Sequence, residues 1–148
     1  MMAAAQTTQP VARPILLVED NPVDIDLTRR VFARSRSLGP ISVAHDGEEA
    51  LGLIPRWDAG ERPPSLILLD VNLPRVNGIE VLRQFKAHPK YRCIPVIMLS
   101  SSSEDRDLAA AYALGVNSYI VKPVDYDRFV EAAGHIERYW GELNQHPT

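Results

Sequence analysis

The chain has 148 residues, of which 45% are apolar, and its 16 Lys and Arg against 19 Asp and Glu give a net charge of −3. This length and apolar content are typical of one domain with a single core, and the acidic balance excludes the basic surface of a nucleic-acid-binding protein. The one cysteine, Cys93, excludes an intramolecular disulfide and a cysteine-built metal centre, which favours a cytoplasmic protein. No apolar run approaches the roughly 18 residues that span a bilayer, so no membrane segment is expected.

The two ends of the chain differ in composition from its middle. Residues 1–13 are rich in Ala, Gln and Thr and lack the basic and apolar stretches of a signal peptide, so we expect a disordered leader there. A domain over residues 14–140 and a C-terminal tail over residues 141–148 complete the predicted organisation.

Five short apolar runs, each bounded by turn residues or charge, are the candidate strands. They are Ile15–Val18, Ile41–Ala44, Leu66–Leu69, Val96–Leu99 and Tyr119–Val121. Because these runs are continuously apolar, apart from Ser42, rather than alternating, they predict parallel strands that are covered by helices on both faces of a sheet.

Segments with apolar residues at helical spacing follow the strands and predict five helices. They are Val23–Val31, Ala50–Ile54, Ile79–Phe85, Leu108–Leu114 and Phe129–Trp140. The prolines, Pro55 included, are expected at the ends of elements because proline has no backbone N–H to donate. The alternation predicts a doubly wound α/β fold, a flavodoxin-like (βα)5 three-layer sandwich whose five-stranded parallel sheet has the order 2-1-3-4-5.

Polar residues follow four of the predicted strands, where this fold places its ligands. They are Glu19 and Asp20 after the first strand, Asp70 after the third, Ser100 after the fourth and Lys122 after the fifth. Since the first and third strands are neighbours in the predicted order, their three acids should crowd together. Two like charges about 4 Å apart repel by roughly 4 kcal/mol at an effective dielectric constant of 20, which favours a bound cation.

The side chains predicted at this edge suit the chemistry of a phosphoryl group. Oxygen ligands without His or Cys favour a hard cation, and a few carboxylates with water and phosphate oxygens fit Mg²⁺ better than Ca²⁺. Lys122 and Ser100 would neutralise and hydrogen-bond phosphoryl oxygens, and Asp70 would be the nucleophile that forms an aspartyl phosphate.

These residues resemble the receiver domain of two-component response regulators, with separations of 50, 30 and 22 residues from Asp20 to Asp70, Ser100 and Lys122. The resemblance covers roughly residues 14–140. The stretches VEDNPVD, DVNLPRVNG and LSSSSEDRD, which begin at Val18, Asp70 and Leu99, are closest to the stand-alone receivers of bacterial and cyanobacterial phytochrome histidine kinases.

The resemblance implies a single-domain response regulator in which a histidine kinase, here a phytochrome, transfers a phosphoryl group to Asp70. Asp20 and Asp70 would bind Mg²⁺ directly, the backbone carbonyl of Asn72 would be a further ligand, and Glu19 would act through water. Apart from this reaction on itself and its own dephosphorylation, the chain is not expected to be an enzyme.

The resemblance also implies how the phosphorylated state is recognised. Ser100 would bond a phosphoryl oxygen, Lys122 would pair with it, and Tyr119 would turn inward when Ser100 moves. The Lys122–Pro123 peptide bond is expected to be cis. The four bulky groups Phe129, Ile136, Tyr139 and Trp140 exceed what one helix stripe buries easily, so we expect a homodimer through the fourth helix, the fifth strand and the fifth helix.

Simpler interpretations stand beside these. Asp20 or Asn21 would serve only as a cap of the first helix, Ser102 or Ser103 would cap the fourth, and Tyr119 would be an ordinary half-buried strand residue. A degenerate receiver that acts as a docking scaffold would have lost one of the key side chains, and none is lost. An Mg²⁺-dependent phosphatase with an aspartyl nucleophile would carry a DxD motif, but Asn72 stands at the position of the second acid. A nucleotide-binding module would need a glycine-rich phosphate loop, which the sequence lacks.

Overall fold

A computed structural model describes residues 13–34, 38–101, 105–122 and 125–145, and its strands form one parallel sheet. The strands are β1 (Arg13–Val18), β2 (Leu38–Ala44), β3 (Leu66–Asp70), β4 (Val96–Ser100) and β5 (Ser118–Val121). Their order across the sheet is β2-β1-β3-β4-β5, which confirms the predicted doubly wound topology.

Helices connect the strands, and most agree with the helical spacing of the sequence. They are α1 (Pro22–Phe32), α2 (Gly47–Leu51), α3 (Leu53–Asp58), α4 (Gly78–Ala87), α5 (Asp105–Ala113) and α6 (Tyr126–Ile136), and a π-helix (Glu137–Leu143) continues α6. The predicted fourth and fifth helices are therefore α5 and α6.

The predicted second helix is divided into two short helices at Gly52. Pro55 explains the break, because it has no N–H to donate to the carbonyl of Leu51 and thus interrupts the helical hydrogen bonds. Pro55 lies inside α3 rather than at the end of an element, as the third residue of this helix. This position in the first turn tolerates proline, since an N–H there has no partner within the helix.

The core lies on both faces of the sheet, as the apolar runs predict, but the edge strands β2 and β5 are only partly buried because a neighbouring strand covers only one of their edges. Every residue of β3 and β4 is buried. On one face Trp57 packs against Phe85, with ring centroids 5.8 Å apart, and on the other Phe32 and Ile136 join the core. Burial on both faces fixes the central strands and therefore the positions of the residues at their carboxyl ends.

The two ends of the described chain correct the predicted boundaries. β1 begins at Arg13, within the predicted leader, and the helical structure extends to Leu143, three residues beyond the predicted end of the domain. Trp140 accounts for this extension, since it packs against the core and its ring meets that of Tyr139 edge to face. Residues 1–12, the predicted caps Ser102 and Ser103, and Pro123 with its predicted cis bond lie outside the described residues.

Within the described ranges, no helix combines the length and the apolar content that crossing a bilayer requires. Asparagine side chains cap the helices that follow β1 and β3. The side chain of Asn21 accepts from the backbone N–H groups of Val23 and Asp24, and that of Asn77 accepts from the N–H of Glu80. These caps fix the start of α1 and α4 beside the ends of β1 and β3.

Candidate functional site

Three acids meet at the carboxyl edge of the sheet. Glu19 and Asp20 directly follow β1, and Asp70 is the last residue of the neighbouring β3. One carboxylate oxygen from each lies within 4.8 Å of the other two. Glu19 and Asp70 are buried, whereas Asp20 is exposed. The crowding of acids that the sequence predicts is therefore present, with one of the three open to solvent.

Glu19 is held in place by backbone groups of the turn into α1. Its Oε2 accepts hydrogen bonds from the N–H groups of Asp20 at 3.1 Å and Asn21 at 3.3 Å. Burial raises the pKa of Glu19 to about 7, and Asp70 adds to this rise while Lys122 opposes it. The carboxylate is thus fixed in direction, and its charge depends on the cations nearby.

Lys122 follows β5 and extends its ammonium group into this set of acids. Its Nζ donates to Glu19 Oε1, to Asp24 Oδ2 at 2.9 Å and to Asp70 Oδ2 at 3.3 Å. Burial alone would lower the pKa of Lys122, but its hydrogen bonds and charge attraction to these acids outweigh burial and hold the pKa above its ordinary value. The lysine is therefore a fixed positive charge beside Asp70, where the sequence predicts a group that binds phosphoryl oxygens.

Asp24 is a member of this site that the sequence analysis missed. It lies in the first turn of α1, four residues after Asp20. The available signal is its position, because the first turn of a helix that follows a strand lies at the same edge of the sheet as the strand end. An acid one turn into α1 can therefore reach the same lysine as the acids on the strands.

Ser100 and Tyr119 lie in the two strands beyond Asp70. Ser100 is fully buried at the end of β4, and its carbonyl accepts from the N–H of Lys122 at 2.7 Å, which keeps the two residues adjacent. Leu99 of β4 pairs with Asp70, so Ser100 is one residue further along the neighbouring strand. Tyr119 in β5 pairs with Met98 in β4 and is half-buried against the core. The roles of Ser100 and Tyr119 stay predictions.

The loop after β3 is packed tightly behind Asp70. The N–H of Asn72 donates to Asp70 Oδ1 at 3.1 Å, and the N–H of Gly78 donates to the carbonyl of Val71 at 2.8 Å. A Cβ on Gly78 would lie 2.0 Å from the backbone oxygen of Asp70, so only glycine permits this approach of α4 to the strand. The predicted binding of a metal ion by the Asn72 carbonyl is not tested by these contacts.

The donor set of the site fits a hard divalent cation. Among the described residues, Glu19, Asp20 and Asp70 form a group of potential ligands that contains oxygen donors and no His or Cys. Oxygen donors of this kind are the ligands of Mg²⁺ and of Mn²⁺, whereas zinc and copper sites usually include nitrogen or sulfur.

Known proteins are similar to this chain over most of its length. The family model of the response regulator receiver domain matches residues 15–134. The probable methanogenesis regulatory protein FilR2 of Methanothrix harundinacea is 40% identical over 134 residues, which are 90% of this chain and 86% of FilR2. Response regulator Rcp1 of Synechocystis sp. is 35% identical over 130 residues, which are 86% of this chain and 88% of Rcp1.

Solved structures agree with the sequence comparisons. The phosphorylated cyanobacterial phytochrome response regulator RcpA superposes with a TM-score of 0.89 at 35% identity, and the match covers 93% of this chain and all of RcpA. The Mn²⁺-bound form of Rcp1 gives a TM-score of 0.86 at 33% identity, over 92% of this chain and 99% of that structure. With its five-stranded sheet, its acid group and these relatives, the chain belongs to the response regulator receiver family and is related to the phytochrome response regulators.

Proposed function

We propose that this chain is a phosphoacceptor of a two-component phosphorelay, in which a sensor histidine kinase transfers a phosphoryl group to Asp70. The observation that carries the proposal is the meeting of the buried Asp70 carboxylate with the Lys122 ammonium group, inside a group of acids that suits Mg²⁺. Each of these groups has a use in phosphoryl transfer, and the fold brings all of them to one edge of the sheet.

The proposed reaction is an in-line displacement. A carboxylate oxygen of Asp70 attacks the phosphorus of a phosphohistidine, an O–P bond forms, the N–P bond breaks, and the imidazole leaves with the electron pair and takes up a proton. Lys122 and the hydroxyl of Ser100 hold the phosphoryl oxygens, and Asp70 is fixed by the N–H of Asn72. A bound Mg²⁺, with Asp20, Asp70 and the Asn72 carbonyl as direct ligands and Glu19 acting through water, would neutralise part of the charge on the phosphoryl group.

The relatives support these finer assignments. RcpA is a phytochrome response regulator that was solved in its phosphorylated form, and Rcp1 was solved with Mn²⁺. On this likeness we propose that the phosphoryl donor is a phytochrome histidine kinase and that the metal ion is Mg²⁺, a hard divalent cation like Mn²⁺. The single cysteine of the chain supports the further proposal that it works in the cytoplasm. Asn72 stands where a phosphatase of the DxD type has its second acid, so we also propose that the chain has no activity on separate substrates.

The experiment that tests this function is the intact mass of the protein after incubation with Mg²⁺ and acetyl phosphate. The wild type should gain one phosphoryl group and Asp70→Asn none. Asp26→Asn is the matched control, because Asp26 is an exposed acid on α1 that pairs with Arg30 and lies outside the site. Beryllofluoride binding separates a short-lived phosphate from no reaction. A wild type that neither gains mass nor binds beryllofluoride would contradict the proposal.

We further propose that phosphorylation, through Ser100 and Tyr119, favours a homodimer formed by α5, β5 and α6. Of the four bulky groups in the last predicted helix, Phe129 and Ile136 are buried and Trp140 packs against the core, so they do not argue for a dimer, whereas Tyr139 is exposed. The support now comes from three other large apolar side chains that are exposed on these elements. They are Tyr112 on α5, Val121 on β5 and Tyr126 on α6.

Sedimentation velocity tests the dimer, with the protein at tens of micromolar and with or without beryllofluoride. Dimers should increase when beryllofluoride and Mg²⁺ are present, and Val121→Glu should prevent them by placing a charge in the interface. Only monomer in all samples would contradict this part of the proposal.

A further inference from the structure

Asp24 contacts the key lysine of the site but is not part of the acid group that suits a metal ion. Its Oδ2 accepts from Lys122 Nζ at 2.9 Å, a shorter distance than the 3.3 Å between Lys122 Nζ and Asp70 Oδ2. The group of potential metal ligands consists of Glu19, Asp20 and Asp70 without Asp24. Asp24 is therefore free to serve the lysine alone.

The other two acids that contact Lys122 have competing uses in the proposed function, on which this inference rests. Asp70 ceases to be a carboxylate when it carries a phosphoryl group. Glu19 would act on the metal ion through water. Glu19 also accepts from Lys122 Nζ, so its carboxylate would be shared between the lysine and the metal ion's water, whereas Asp24 has no second use in the proposed reaction.

Two side-chain hydrogen bonds hold the backbone of Asp24 in the first turn of α1. Its N–H donates to Asn21 Oδ1 at 3.4 Å, and its carbonyl accepts from Thr28 Oγ1 at 2.7 Å. The side chain of Asp24 is 29% exposed, and that of Lys122 is 13% exposed. A lysine has a long, flexible side chain, so holding its ammonium group at one point costs conformational entropy unless a fixed partner restricts it beforehand.

We propose that Asp24 is a positioning residue, which holds the ammonium group of Lys122 where it can bind the phosphoryl oxygens on Asp70. It acts through Lys122 and does not itself touch the phosphoryl group. One N–H of the ammonium group stays with Asp24 and one with Glu19, and the third is left for a phosphoryl oxygen on Asp70.

A simple effect of charge would have the opposite sign, which makes the proposal testable. Asp24 adds a negative charge near an anionic ligand, so removing that charge alone would strengthen the binding of a phosphoryl group. If Asp24 instead positions Lys122, its removal weakens binding. An acid in the first turn of a helix also stabilises that helix by interacting with its dipole. This role would change the melting temperature and not the affinity for a phosphoryl analogue.

The test is the affinity for beryllofluoride at saturating Mg²⁺, measured by fluorine NMR on the full chain, together with the melting temperature. Asp24→Asn leaves Lys122 only a neutral amide oxygen as acceptor and should weaken binding about tenfold, the order expected when a charge-assisted hydrogen bond loses the charge of its acceptor. Asp24→Glu, which keeps the carboxylate on the same helix, should restore most of the affinity. The matched control Asp26→Asn removes the same charge from α1 outside the site and should bind like the wild type.

Each outcome has a defined meaning. If Asp24→Asn binds beryllofluoride as tightly as the wild type or more tightly, the inference is overturned and the proposed function stays intact. The same holds if Asp26→Asn loses as much affinity as Asp24→Asn. A wild type that does not bind beryllofluoride would overturn the proposed function itself. If Asp24→Asn does not fold, Asp24→Ala removes the same carboxylate and takes its place.

Discussion

The ammonium group of Lys86 joins three segments at the edge of the sheet opposite the candidate site. Its Nζ donates to the carbonyls of Arg92 and Ile94 and to Asn117 Oδ1, each at 3.1 Å. Asn117 Oδ1 also accepts from the N–H of Val96 at 2.9 Å, where β4 begins. Burial lowers the pKa of Lys86. This lysine connects the end of α4 to the chain segments that enter β4 and β5.

Replacing Lys86 by Met should therefore destabilise the fold. Met keeps much of the length and apolar stem of lysine but cannot donate, so the two carbonyls and the Asn117 oxygen lose a partner. We expect Lys86→Met to lower the free energy of unfolding by about 1–3 kcal/mol, measured by urea denaturation. Lys90→Met is the control, since Lys90 is exposed, and its effect should stay within about 0.5 kcal/mol. Equal stability of both variants would contradict the role given to Lys86.

At the scale of elements, two glycines in helices occupy opposite environments. Gly78 begins α4 and approaches the end of β3 so closely that a Cβ would lie 2.0 Å from the backbone oxygen of Asp70. Gly134 lies in α6, and a Cβ there would have no atom within 4 Å. The first glycine is required by packing, while the second only adds backbone freedom to the unfolded chain.

The same substitution should therefore have opposite effects at these two positions. Gly78→Ala would push α4 away from β3, and we expect it to lower the free energy of unfolding by about 1–3 kcal/mol. Gly134→Ala should raise it by up to about 1 kcal/mol, because alanine favours a helix. Thermal and urea denaturation of both variants measure these changes. Destabilisation by Gly134→Ala, or none by Gly78→Ala, would contradict the packing described here.

The strands and the order of the sheet could be predicted because the pattern of apolar residues determines them. Features that depend on single residues were missed. Runs such as Leu66–Leu69 must be buried on both faces, which determines the parallel sheet and gathers the acids at its edge. By contrast, the break between α2 and α3 was not predicted, because Leu51 and Ile54 have the same spacing in the sequence whether the helix is continuous or interrupted. The contact between Asp24 and Lys122 joins residues 98 positions apart and depends on side-chain conformations that no local pattern records.

At the scale of the whole molecule, the fold concentrates negative charge at one edge of the sheet. The chain carries a net charge of −3, and three of the four carboxylates at this edge, those of Glu19, Asp24 and Asp70, contact one ammonium group. Their mutual repulsion disfavours the folded state, in which they are held together, more than the unfolded state, in which they are far apart. A cation that binds only the folded site should therefore stabilise the entire domain.

We accordingly expect Mg²⁺ to raise the free energy of unfolding by an amount that grows with its concentration, about 2.7 kcal/mol when free Mg²⁺ is 100 times its dissociation constant. Asp20→Asn should remove most of this gain, because it deletes a proposed direct ligand whose side chain is exposed and contributes little to packing. Asp26→Asn should retain the gain, and sodium chloride of equal ionic strength should not reproduce it. Thermal melts at increasing Mg²⁺ measure the effect, and a wild-type melt that Mg²⁺ leaves unchanged would contradict a metal site at these acids.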